Sequence, residues 1–373
     1  MTSTGEFNPE LLVIARGACG ITQADLAKKM EVNQAKVSRW EDGISTPSQE
    51  EVEIISDVLQ FPSRYFYQPD APVGPELSFM FHRKRRRITV KELNQLHCKV
   101  NIIRMGISRL LRPLEDFPVQ IKSMDIDEFG SAQEVAQMVK AAWQIPLNSP
   151  IRNFIGLLES KGVIIFRMSF RTDKVDAIHM WPTGMPPLIF LNENCPADRE
   201  RFSLAHEVGH MILHKFPTPN MEEEADDFAR EFLLPEEGLK LDVDSSLTLA
   251  EAYRLKHKWK ASAQAIIFQS RNIEAISQSK YQSLYKYLSK LGHRKSEAHP
   301  ICHENPTTIN RLVQLHSNDL KYSISELADT VFLNVDRFRR YYAMEEPQSS
   351  HLRIVSDESE WENTDIRCRK KAR

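Results

Sequence analysis

The stretch RFSLAHEVGHMILHKFPTPNMEEEADDFAREFLLP, residues 201–235, places two histidines and then a knot of acidic residues in two segments with helical periodicity. His206, Glu207 and His210 spell His-Glu-x-x-His. On a helix, side chains four apart stand one above the other on a single face. Two imidazoles so placed can hold one zinc ion (Zn2+), and a glutamate beside the first can act as general base toward a water there. Phe202, Leu204, Val208 and Ile212 flank the pair with apolar surface. Burying two unpaired histidines for packing alone would be costly.

A catalytic zinc takes three protein ligands and keeps a place for water. His214 lies on the same stripe but two turns from His206, about 12 Å along the axis. It is therefore expected to cap the helix or face solvent rather than share the ion. If 222–234 is a helix, Glu222, Ala225, Asp226 and Ala229 share a face whose small residues admit a neighbouring helix. Glu223, Asp227 and Arg230 form a separate charged face toward water. Glu222 is the expected third ligand and Glu224 the alternative. Asp226, one turn on, is placed to accept a proton from a ligating histidine. The number of acids alone would also suit a helix N-terminus, where negative charge meets the macrodipole. Leu213 and Phe216 occupy the places where a metzincin carries its glycine and third histidine.

The elements that must position these residues follow from periodicity and turn signals. SAQEVAQMVKAAW and IRNFIGLLESKG read as helices, and VIIFRMS, DAIHMW and PPLIFLNE as strands, the last two separated by the turn PTGMP. Residues 188–192, LIFLN, are expected to form an edge strand able to hold a substrate in extended form. His179 could support an oxyanion, but a strand histidine with a structural role is the simpler reading, so it stands outside the catalytic set. Further helices are expected over 246–300 and 306–345, and the polar tail from 347 is expected to be disordered. No internal repeat of fixed period is evident.

At 373 residues the chain suggests two or three domains. Hydrophobic residues at 41% and charged residues at 27% describe an ordinary soluble protein rather than a disordered one. No apolar run approaches the roughly 20 residues of a membrane helix, and the start lacks a signal-peptide pattern. Five scattered cysteines (19, 98, 195, 302, 368) argue against a disulfide framework, a zinc ribbon or a redox dithiol. HPICH at 299–303 reads as a loop with incidental ligand types. A reducing cytoplasm is the expected location, with no membrane association.

Charge is uneven along the chain. Residues 1–68 carry six basic and ten acidic side chains, a net of −4, whereas residues 83–112 carry ten basic and one acidic, a net of +9. The run RKRRR at 83–87, with Lys91, Lys99, Arg104, Arg109 and Arg112 beyond it, suits either contact with DNA or a bland role as a solvated surface helix or one that pairs with an acidic partner.

Residues 9–61 read as a series of short helices: NPELLVIAR, TQADLAKKM with Thr22 as N-cap, QAKVSRWEDG ending at Gly43, and STPSQEEVEIISDVL with Ser48 as N-cap. The second and third, joined by a short turn, have the form that enters a DNA major groove. Gln23 opens the second helix, where it can meet a phosphate. Gln34, Lys36 and Arg39 lie along one side of the third, while Val37 and Trp40 pack inward. Glutamine can read adenine and arginine guanine. A helical domain used only for protein contact is the competing reading, since phosphate attraction favours a more basic domain.

The pattern ITQADLAKKMEVNQAKVSRWEDGISTPS closely resembles the Xre/Cro-type repressor family over residues 9–61. That resemblance implies Gln23 as a phosphate contact and Gln34, Ala35, Lys36 and Arg39 as groove-facing residues on double-stranded DNA. RFSLAHEVGHMILH followed by EEEADDFAREFLLP resembles the ImmA/IrrE family of zinc metallopeptidases, as do the flanking stretches over about 130–300. It implies a gluzincin-like site with zinc on His206, His210 and Glu222, and Glu207 as catalyst. The expected fold is α+β, mostly α: a helix-turn-helix DNA-binding domain (1–68), a linker and basic helix (69–128), and a zincin-like metallopeptidase domain with a small sheet (129–300). A helical C-terminal region (301–346) and a tail (347–373) complete it. The expected function is a DNA-binding regulator, a homodimer on two half-sites, whose zinc endopeptidase cleaves a repressor or antitoxin. The alternative is a repressor or antitoxin whose metal domain binds a partner or senses metal without proteolysis.

Overall fold

Short polar residues set many of the helix starts. Thr22 with Asp25, Ser48 with Glu51, Thr89 with Glu92, Thr248 with Glu251 and Ser323 with Glu326 each close a capping box. In each, the hydroxyl accepts from the third helical amide and the carboxylate accepts from the cap amide, satisfying two otherwise orphaned donors. The computed structural model describes residues 5–74, 88–114, 117–293 and 297–342. The basic run 83–87 and the tail from 347 lie outside these residues.

Four helices, α1 (Pro9–Cys19), α2 (Gln23–Lys29), α3 (Gln34–Glu41) and α4 (Gln49–Leu59), precede a 3-10 turn at Ser63–Tyr67 and the long α5 (Val90–Leu111). Helices α6 (Ile126–Phe129), α7 (Ala132–Ala142) and α8 (Phe154–Ser160) lead into strands β1 (Ile164–Met168), β2 (Ala177–Met180) and β3 (Leu188–Asn192). The sequence then forms α9 (Ala197–Leu213), α10 (Met221–Leu233), α11 (Glu236–Lys240), α12 (Leu249–Trp259), α13 (Ala263–Asn272) and α14 (Gln278–Lys290). Three C-terminal helices follow, α15 (Thr308–Asn318), α16 (Ile324–Thr330) and α17 (Val335–Tyr342). The fold is α+β and mostly helical, with one small sheet.

The sheet order is β1-β3-β2. β1 runs parallel to β3, with Ile164 opposite Leu188, and β2 runs antiparallel to it, with Ala177 opposite Leu191. Residues 188–192 are thus the central strand, paired on both sides, and not the edge expected from sequence. All five are buried; the apolar run Leu188–Leu191 is what burial on both faces demands, and the buried Asn192 amide donates to the Thr172 and Val175 carbonyls.

Alternation along the strands divides the interior in two. Ile164, Phe166, Ile178, Met180, Leu188 and Phe190 face one core, shared with α1–α5 and α15–α17. Ile165, Ala177, Ile189 and Leu191 face the other, shared with α7–α10 and α12–α14. His179 follows the period of Ala177 and therefore belongs to the second side, beneath α9.

Three of the cations of α5 are not available for the contacts expected of that helix, while Lys91 and Arg112 are exposed. Lys99, Arg104 and Arg109 are buried, so they neither meet DNA nor coat a solvated face. Arg104 donates from Nη2 to the Ala71 carbonyl at 2.9 Å, and Arg109 bonds to Gln68 and Asp70. Asn101 exchanges hydrogen bonds with the Val73 backbone. The segment 68–74 is thereby strapped to α5. Burial pushes the Lys99 amine down to about 8.

Helix α9 is held along its length. In its first turns, Asp198 accepts from Lys256 of α12 at 2.5 Å, Glu200 accepts from Arg167 of β1 at 2.7 Å, and Arg201 pairs with Glu304. Its second half packs on α10 at Gly209. A Cβ built at Gly209 would stand 3.2 Å from Phe228 Cδ1 and 3.3 Å from both Cα and O of Ala225. The two backbones approach so closely there that a side chain would require the neighbours to shift by a few tenths of an ångström. Gly209→Val is expected to destabilise the protein by about 1–3 kcal/mol through overpacking, measured as a lower urea midpoint at unchanged slope. A midpoint equal to wild type would show that the helices can separate freely.

Candidate metal centre and nucleic-acid interface

Residues 206 and 210 share the face of α9 that looks toward α10, and the sequence-expected residues meet there. His206 Nε2 and His210 Nε2 lie 3.0 Å apart. The Glu222 carboxylate stands 3.3 Å from His210 Nε2 and 3.7 Å from His206 Nε2. These three form the one group among the described residues whose ligand atoms converge well enough to hold a metal ion. Glu222 reaches them because it occupies the first turn of α10, on the side that Ala225 lets approach α9.

The outer nitrogens of both imidazoles are engaged. His206 Nδ1 donates to Asp226 Oδ1 at 2.8 Å. His210 Nδ1 lies 3.1 Å from His214 Nδ1, and His214 Nε2 donates to Glu224 Oε2 at 2.8 Å. With its Nε2–H directed at Glu224, neutral His214 accepts at Nδ1 from the Nδ1–H of His210. Both Nε2 lone pairs are then left facing each other and a carboxylate. Only a shared proton or a cation satisfies that arrangement. Two nitrogens held tetrahedrally at zinc bond lengths lie roughly 3.3 Å apart, so the donor set fits the ion by both spacing and chemistry.

The electrostatics of the protein alone point the same way. Burial works against charge on His206, but the Asp226 hydrogen bond and the carboxylates of Glu207, Asp226 and Glu222 outweigh it and hold its pKa above the usual value. Burial pushes His210 down to about 4 against its Glu222 bond, leaving a neutral imidazole of the kind a metal binds. His214 is likewise lowered, first by burial.

Glu207 is buried beside the pair. His179 Nδ1 donates to Glu207 Oε2 at 2.5 Å, and its ring stacks 6.0 Å from that of His210. Sequence reasoning leaves His179 aside. The signal available is its register on a strand, which sends every second residue to the α9 side. His214 does cap α9, yet its side chain is only 2% exposed and serves as a partner to His210, a role that sequence reasoning misses. The clue is its spacing of four from His210. Glu224, the alternative ligand, is turned away toward His214 and Thr218. Among the described residues, His299 and His303 belong to no group that could hold a metal ion: His299 meets the Tyr253 ring edge-on and His303 pairs with Glu200.

The second surface lies on α2 and α3. Val37 and Trp40 are buried, whereas Gln34, Ala35, Lys36 and Arg39 are exposed on one side of α3. Arg16 of α1 grips Glu41 at 2.5 and 2.8 Å. Glu41 in turn accepts from Gln23 Nε2 at 2.7 Å, and Gln23 accepts from Gln34 Nε2 at 3.1 Å. This chain of bonds fixes the two glutamines before any ligand arrives. Lys36 pairs with Glu51 and lies over the Trp40 ring, so it must exchange that partner to meet a phosphate.

A helix-turn-helix family model matches residues 12–66. The model of the IrrE N-terminal-like domain, a peptidase family, matches residues 158–270, the span that holds the sheet, α9 and α10. No curated protein matches the chain. The two matches support a DNA-binding regulator with an ImmA/IrrE-type peptidase domain. Among the described residues, no helix is long and apolar enough to cross a membrane.

Competition against a chelating zinc indicator checks the donor set. His210→Ala and Glu222→Gln are expected to abolish tight binding, while Asp226→Asn and Glu224→Gln, which alter supporting bonds only, should each weaken it about 10- to 100-fold. Loss of binding in Glu224→Gln with retention in Glu222→Gln would reassign the third ligand.

Proposed function

We propose that this chain, which joins a helix-turn-helix domain to an IrrE N-terminal-like peptidase domain, is a DNA-binding regulator that hydrolyses a peptide bond in a partner protein, using zinc. The observation that carries this reading is the convergence of His206, His210 and Glu222 with Glu207 buried beside them. His206 and His210 would hold the ion through Nε2, and Glu222 through its carboxylate. When bound, zinc supplies Lewis acidity toward a water and toward a substrate carbonyl.

The chain's own groups supply the proton chemistry. The Glu207 carboxylate takes a proton from the attacking water and delivers it to the nitrogen of the leaving amine. His179, donating to Glu207 Oε2, orients that carboxylate. Asp226 and the His214–Glu224 pair lock the tautomers of the two ligand histidines, keeping each Nε2 lone pair turned inward.

At the other surface, Gln23 meets a phosphate, and Gln34, Ala35, Lys36 and Arg39 face the major groove of double-stranded DNA. Helix-turn-helix regulators of this kind act as dimers on two half-sites, so a homodimer in the cytoplasm is the proposed working form. The partner is a repressor-like protein or an antitoxin. A role in binding or metal sensing without proteolysis makes the opposite prediction for Glu207.

Glu207→Gln should retain zinc at wild-type affinity and lose cleavage by about 100-fold or more, the scale of general-base catalysis. Profiling of new protein N-termini in cells carrying wild type or Glu207→Gln checks this whatever the substrate is. Identical sets of termini in the two strains, under both unstressed and DNA-damaging conditions, would sink the peptidase reading.

A further inference from the structure

The C-terminal helices reproduce the DNA-reading ones. Helices α16 and α17 have seven and eight residues, as α2 and α3 have, and the same short connection separates each pair. A capping box opens each unit, Thr22 with Asp25 and Ser323 with Glu326. The turns share one left-handed residue at the same place, Glu31 at φ 55° and Phe332 at φ 57°. Leu26, Ala27 and Val37 are buried where Leu327, Ala328 and Phe338 are buried, and Asn33 and Arg39 recur as Asn334 and Arg340. An eleven-residue helix precedes each unit, α1 and α15. The sequence shows no repeat because few side-chain identities are shared, whereas the helix boundaries and burial coincide.

The units diverge on the face that meets DNA in the first. Ile324, Val335 and Asp336 stand in the places of Gln23, Gln34 and Ala35, and an aspartate there repels phosphate. Arg337, in the place of Lys36, donates from Nη2 to the Leu59 carbonyl at 3.0 Å and stacks 3.7 Å from the Phe61 ring centroid. Asn334 donates to the Gln60 carbonyl at 3.0 Å, and Asp329 pairs with Arg64. Leu59 and Gln60 are the last residue and the C-cap of α4, where unsatisfied carbonyls and the macrodipole favour a cation. The opposite side of α17 reaches the sheet: Tyr342 donates to the Ile103 carbonyl at 3.2 Å and meets Phe166 of β1 edge-on.

We infer that residues 308–342 are a second helix-turn-helix unit that grips the end of α4 instead of DNA, fastening the DNA-reading domain to the sheet behind the metal centre. The inference rests on α2–α3 being the DNA-contacting unit, and the test separates the two ideas. The full chain is titrated with a short mixed-sequence DNA duplex at low salt. Arg39→Ala should weaken binding about five- to tenfold and Arg340→Ala less than about twofold. In parallel, Asn334→Ala and Arg337→Ala should each speed amide exchange across residues 59–66 about fivefold or more.

An Arg340→Ala loss equal to that of Arg39→Ala would make the second unit a DNA reader and overturn the proposal. Unchanged exchange in both brace variants overturns it as well. Should Arg39→Ala have no effect on duplex binding, the reading of the first unit falls, while the exchange measurement still decides the brace. Asn334 is exposed, so Asn334→Ala carries that measurement even if Arg337→Ala folds poorly.

Discussion

The absence of a side chain at Gly209 lets the Ala225 backbone rest against α9, and the convergence of His206, His210 and Glu222 is built across that close approach. The histidines come from one helix and the carboxylates from the next, so neither helix carries a complete donor set. Axial position matters as much as distance. Asp198, Glu200 and Arg201 pin the start of α9 to α12, β1 and the 304 segment through buried ion pairs. Such pairs add little net stability, because desolvation opposes them, but losing one partner strands a charge. Their effect is to fix where α9 sits.

Much of this is legible in the sequence, and the parts that are not share a cause. The histidine spacing, the helix face that singles out Glu222 and the capping hydroxyls are local patterns, readable within a turn or two of helix. His179 and Glu207 are neighbours through strand register, and Glu224 and His214 through the packing of two helices; neither relation is local. The strand 188–192 is misplaced from sequence because four consecutive apolar residues, Leu188 to Leu191, report burial on both faces but not which neighbours provide it. The run of cations on α5 misleads for a related reason. Lys99, Arg104 and Arg109 look solvated when counted as charges, yet their long stems let them turn inward to the Ser169 carbonyl, the Ala71 carbonyl and the Gln68 and Asp70 side chains respectively. The repeat at 308–342 is visible in element lengths, a left-handed turn residue and burial, but hardly in residue identity.

The same scaffold thus appears twice in one chain with different outer faces. In the first unit, Glu41 orders Gln23 and Gln34 while leaving the groove side of α3 polar and open. In the second, Asn334 and Arg337 are instead engaged by the end of α4. Burial of the inward residues specifies the shape, and the outward residues alone decide what that shape holds.

The small sheet has a thermodynamic consequence. Each of its strands contributes alternate side chains to both cores, so the sheet is a party wall and neither core keeps its boundary without it. Melting the N-terminal half exposes Phe166 and Phe190 and strips support from the strand that carries His179. The helix-turn-helix surface and the candidate metal cluster are therefore joined through the sheet that both cores share, so unfolding of one side is coupled to the other.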